Sequence, residues 1–218
     1  MATRLYFGSA SGSVVLPTGD NSAVLPIGTD RGDFNQNLSL RSAGTGVTQV
    51  NFANVTTATV TTVQSAMMAR HISNALLAQT IDANTWSLRF EGAESNVAAN
   101  AYLGASLYAW RPSTTGVIGR IYDNTGLIGA EFNGAVQTAN ITGSGITIQD
   151  MDVLVFEAWY ITPGQANTTS RTITWSINNI GGTPDPYAYI ETPQDLLFSG
   201  VSASTVQNGT NLWIGCAY

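Results

Sequence analysis

Not one lysine occurs among the 218 residues of this chain. All eight basic side chains are arginines, and the charged fraction is 10%, against about 25% in an ordinary soluble domain. Thr, Ser, Asn and Gly fill the gap. They hydrate a surface but do little to repel a second copy of it. Lysine is also the residue most used to blunt an exposed strand edge. A β-rich chain of this composition has to cover its edges, internally or with a partner. The second solution predicts a protein that works as one part of an assembly.

The β content is legible in the patterning. Trp86, Ser87, Leu88, Arg89, Phe90 and Glu91 alternate apolar and polar, the period of a strand with one buried face. Residues 102–110 alternate large and small side chains until Pro112 ends the run. Residues 151–161 are almost continuously apolar, which predicts a strand covered on both faces. Further strands are predicted over 55–62, 171–177, 187–191 and 212–218. Turn signals separate these runs, among them Asn133-Gly134, Gly143-Ser144-Gly145, Gly181-Gly182 and Asn208-Gly209. Short strands at this spacing predict an all-β fold, a jelly-roll-like antiparallel β-sandwich over 55–218. Residues 65–79 stay open: Ala, Met, Leu and Gln favour helix, yet the apolar positions fit a helical stripe no better than alternation.

Residues 1–54 are predicted to form an extended arm and loops. The Gly-, Pro- and Asn-rich sequence carries spaced apolar anchors, Leu5, Phe7, Leu16, Leu25, Ile27 and Phe34. Such a segment is too irregular to build its own core and too apolar for a solvated linker, so it is expected to order along a partner. Trp213 and Tyr218, in the apolar stretch 212–218, are given the same interface role.

Few chemistries fit the residues available. A net charge of −6 with scattered arginines argues against nucleic acid phosphates, and no apolar run reaches the roughly 18 residues of a membrane span. One histidine, His71, and one cysteine, Cys216, are too few for a zinc site. A Ser-His-Asp site would have to form around His71, where no nucleophile elbow appears. Asp150 with Asp152, or Asp30 with Asp33, could offer oxygens to calcium, without EF-hand spacing. No cofactor is predicted. Glu157, in the apolar run, and Glu91 could face each other as glycosidase carboxylates. The plainer expectation is that Glu157 is buried in a structural charge pair with Arg89. Five tryptophans could make a sugar-stacking platform, although strand tryptophans usually serve a core or an interface.

Three stretches carry a family likeness: Met1-Ala2-Thr3-Arg4-Leu5-Tyr6-Phe7; Glu94-Ser95-Asn96 followed by Ala98-Ala99-Asn100; and Asp152-Val153-Leu154-Val155-Phe156-Glu157 before a tyrosine and a Thr/Ser-rich loop. In these the chain resembles small jelly-roll structural proteins of tailed bacteriophages, over residues 1–10 and 64–192. The resemblance implies extended structure over 67–80 and a non-enzymatic virion component, first of all a capsid decoration (cement) protein. Such a protein is synthesised in the host cytoplasm and resides in the virion. Its expected partners are itself, as a homo-oligomer (a trimer before a dimer), and other virion proteins such as the major capsid protein. The alternative is a carbohydrate-binding, lectin-like tail or fibre module that holds a host glycan; a glycan hydrolase is more remote. Residues 14–54 and the tail after Phe198 depart from the pattern.

Overall fold

The computed structural model describes residues 2–7, 35–39, 50–54, 58–59, 64–123, 126–162, 166–167, 171–176 and 187–199. Fifteen strands run through them: β1 (Arg4–Phe7), β2 (Asn35–Ser39), β3 (Val50–Asn54), β4 (Ala58–Thr59), β5 (Gln64–Ser73), β6 (Gln79–Ile81), β7 (Asn84–Glu94), β8 (Tyr102–Arg111), β9 (Gly116–Asp123), β10 (Val136–Gly143), β11 (Ile146–Ile148), β12 (Val153–Thr162), β13 (Ala166–Asn167), β14 (Arg171–Ser176) and β15 (Tyr189–Glu191). Among the described residues the one helical element is a short 3₁₀ turn, Val97–Ala99. The fold is all-β, as the patterning predicts, with antiparallel sheets in the manner of a β-sandwich.

Eleven strands share one sheet in the order β3-β14-β7-β15-β1-β2-β5-β12-β8-β9, with β10 on the other side of β7. Within it only β2 and β5 run parallel. The sheet curls back on itself, so the turn after β10 reaches β9, where the Ser144 N–H donates to the Ile121 carbonyl at 2.6 Å. The main core lies inside that curl. On β7, Trp86, Leu88 and Phe90 point inward, while Ser87, Arg89 and Glu91 alternate outward. Gly92 continues the inward row, and the Phe132 ring occupies the space a side chain would need. Opposite stand Leu103, Ala105, Leu107 and Ala109 of β8 and Leu154, Phe156, Ala158 and Tyr160 of β12.

β12 is buried on both faces, as its continuous apolarity predicts. Its other face holds two smaller clusters: Val153 and Val155 with Ile72, Tyr108 and Trp110, and Trp159 and Ile161 with Met67. That second layer explains β5. Residues 64–73 pair with β12 and meet both faces, Met68 in the main core and Met67 behind it. Helix propensities of at most about 0.7 kcal/mol per residue yield here to sheet pairing and burial on two sides.

The N-terminal strand corrects one expectation. Leu5 and Phe7, assigned to a partner surface, are fully buried in the main core. β1 lies between β15 and β2, with Leu5 across from Ile190 and Phe7 across from Leu38. The core supplies the apolar cover that a partner was expected to give. Residues 35–39 and 50–54 join the same sheet as β2 and β3. Leu16, Leu25, Ile27, Phe34, Trp213 and Tyr218 lie outside the described residues.

Candidate functional site

The buried charge pair exists with a different arginine. Glu157 Oε1 accepts from Arg70 Nε at 3.1 Å and from the Tyr108 hydroxyl at 2.7 Å, and Arg70 Nη2 is 3.1 Å away. Strand order decides this. β12 is flanked by β5 and β8, so Arg70 and Ser106 sit directly across from Glu157, on the face opposite Phe156. Arg89 belongs to β7, which does not adjoin β12, and its Nη1 donates to the Tyr187 carbonyl at 2.8 Å. Glu91 shares the outward face of β7, where burial pushes its carboxyl up and a Ser176 hydrogen bond partly offsets that. Glu91 and Glu157 therefore do not face each other as a hydrolytic pair requires.

Other sequence candidates resolve into structure. His71 is buried with its ring 4.6 Å from Phe7 and 6.5 Å from Phe156, inside the core. Trp86, Trp159 and Trp175 are fully buried and Trp110 nearly so, so these four form no exposed platform. Asp150 Oδ1 accepts the Ala78 N–H at 2.7 Å. Asp152 accepts Arg111 Nε and Nη2, both at 2.8 Å, and the Gln149 N–H at 2.7 Å. Both carboxylates thus hold protein donors. Burial alone would raise the Asp152 carboxyl, but the Arg111 and Gln149 bonds prevail and hold it below the usual range.

These bonds frame a surface that patterning missed. The segments 74–79, 149–152 and 195–199 meet at one place, tied by backbone bonds. Met151 N–H donates to Leu76 O at 2.9 Å, Leu76 N–H to Asp152 O at 2.8 Å, Leu77 N–H to Leu197 O at 3.0 Å and Ser199 N–H to Ala75 O at 2.9 Å. The Gln79 side chain clamps the same segments, donating to Leu197 O at 2.8 Å and accepting from Leu197 N at 3.1 Å. On this frame Leu77 is 41% exposed, Met151 61% and Leu197 54%, three of the five large apolar side chains exposed among the described residues. Met151 has φ +72°, left-handed backbone that costs a non-glycine residue about 1–2 kcal/mol.

Left-handed backbone at an exposed apolar residue on a well-bonded loop makes this a candidate contact surface. Leu77 and Leu197, on segments bonded to its own, add exposed apolar area beside it. The signal in the sequence was faint: a methionine between two aspartates at a strand entrance, and a leucine pair, Leu196 and Leu197, past the last predicted strand but one.

No protein-family model matches the chain, and no curated protein matches it. Among solved structures, two crystal structures of a CocE/NonD family hydrolase from Staphylococcus aureus are similar, with TM-scores of 0.41 and 0.43 at 8% identity. They match 88% and 90% of this chain and 36% of the hydrolase chain, so the chain spans about a third of the length of those enzymes.

Proposed function

We propose that the chain is a non-enzymatic structural component of a tailed-phage virion, a jelly-roll decoration (cement) protein. It acts by interface burial, with itself as a homo-oligomer and with neighbouring virion proteins such as the major capsid protein. The observation that supports this is the apolar surface of Leu77, Met151 and Leu197, exposed on a hydrogen-bonded frame with left-handed backbone at Met151, on a chain without lysine.

Fully burying such a side chain is worth about 1.5–3 kcal/mol, and each is already about half covered, so the three together supply about 2–4 kcal/mol per copy. That strengthens association by about 30- to 1000-fold, at 1.4 kcal/mol per factor of ten. Multiplied around a shell, it stabilises the particle without catalysis.

The test is sedimentation of the purified chain together with binding to undecorated shells or tail structures. The wild type self-associates or binds. Met151→Asn and Leu197→Ser weaken that association without unfolding the chain. A chain that sediments as a monomer over a wide concentration range and binds no virion structure would overturn the reading.

A further inference from the structure

We propose that the outward face of β1, β15, β7 and β10 is a binding site for a neutral oligosaccharide, independent of the apolar assembly surface. Register lays two rows of side chains across these four strands. Tyr6, Tyr189, Arg89 and Thr138 are successive neighbours in one, and Arg4, Glu191, Ser87 and Asn140 in the other. The alternate residues Leu5, Ile190 and Leu88 are in the core, so both rows face away from it. Strands about 4.8 Å apart make each row about 14 Å long, the scale of a short sugar chain.

The aromatic part is gathered and partly exposed. Tyr6 meets Tyr187 edge-on at 6.1 Å and 90°, and Tyr189 at 5.8 Å and 70°. All three rings are half-buried, whereas the four described tryptophans are inside. Tyrosine offers rigid apolar area against the C–H face of a sugar at low entropic cost.

The polar part is held in place before any ligand arrives. Arg4 lies 4.1 Å from the Tyr189 ring centre, and its Nε and Nη2 donate to Glu191 Oε2 at 2.9 and 2.6 Å. Both bonds fall on one carboxylate oxygen, so among the described residues Glu191 Oε1 keeps capacity to accept from outside, with the side chain 31% exposed. Arg89 is pinned by its bond to the Tyr187 carbonyl. A fixed donor beside a fixed acceptor suits a pair of sugar hydroxyls, since each hydroxyl both donates and accepts. Holding the groups in advance lowers the entropic cost of binding.

Charge argues for a neutral ligand, because Arg4 is matched by Glu191 and Arg89 shares the outward face of β7 with Glu91. It also argues against a second copy on this face. Such a contact would strip water from the ion pair, at a cost that imperfect pairing does not return, whereas a sugar hydroxyl takes the place of that water.

The experiment is saturation-transfer NMR on the full chain with a panel of neutral oligosaccharides: glucose, mannose, galactose and N-acetylglucosamine oligomers. At least one member is expected to receive saturation. Its binding should weaken tenfold or more in both Tyr189→Ala and Glu191→Gln, variants whose circular dichroism matches the wild type, and persist in Met151→Asn. Should Tyr189→Ala lose its fold, Glu191→Gln alone carries the test. No transfer to any member overturns the proposal, as does binding that both variants leave unchanged. If the two variants instead lose self-association, the face is a subunit contact and the proposal fails, while the cement reading stands or falls on the Met151 surface.

Discussion

Replacing Glu157 by glutamine keeps the size and shape of the side chain and removes its charge. The carboxylate is fully buried and its arginine partner is 1% exposed. Bonds from Arg70 and the Tyr108 hydroxyl converge on one oxygen, Oε1. A glutamine carbonyl can still accept, but the buried guanidinium loses its counter-charge in a region where water cannot replace it. Breaking such a pair from one side costs about 3–5 kcal/mol. For a chain of this size each kcal/mol shifts Tm by about 2–4 °C, so Glu157→Gln should melt about 6–20 °C below the wild type. Scanning calorimetry at pH 7, checked by urea unfolding, measures both quantities.

Arg70→Met combined with Glu157→Leu removes both charges and keeps apolar volume, and replacements of this kind are often neutral or stabilising. The double variant should therefore melt above either single one. A Glu157→Gln protein that melts within 2 °C of the wild type, or a double variant whose losses simply add, would refute the claim that the pair acts as one buried unit.

Three other outcomes follow from the geometry. Met151→Asn places a residue tolerant of positive φ where methionine is strained, so the isolated chain should gain about 1 kcal/mol in urea unfolding while its association weakens in sedimentation. Gly92→Ala puts a methyl 2.3 Å from the Phe132 ring, and overpacking of this kind should cost about 1–3 kcal/mol by the same measurement. The Asp152 carboxyl is held low in the folded state, so its stabilisation is complete above the unfolded value of about 3.9 and is lost as pH falls from there through the folded value; melting curves from pH 6 to 2 should show that part of the acid slope missing in Asp152→Asn.

The strands with the clearest local pattern were legible. The alternation from Trp86 and the apolar run after Asp152 each report which faces are covered, and both behave as their periods predict. What the sequence conceals is which strands are neighbours. Arg89 lies on an alternating strand and Arg70 in a segment whose pattern left helix and strand open, and only the order β5-β12-β8 reveals which of them meets Glu157. Leu5 and Phe7 show the same ambiguity, since four residues of alternating pattern look alike whether they complete their own sheet or dock on another chain. Their partner Ile190 lies far along the sequence, where no local signal connects them. The exposed surface at Met151 was hidden for a different reason: it is assembled from three turns that are individually unremarkable in composition.

The pairing of β1 with β15 also governs how the chain comes to be folded. Leu5 and Phe7 cannot be enclosed until Ile190 has been made, and at a synthesis rate of about 5–20 residues per second they wait about 10–40 s for it. Throughout that interval an apolar strand stands open on a nascent chain with few charges to hold others away. Ribosomes crowded on one message would bring several such strands together, so the yield of native protein should fall with expression rate and recover with slower translation or added chaperone.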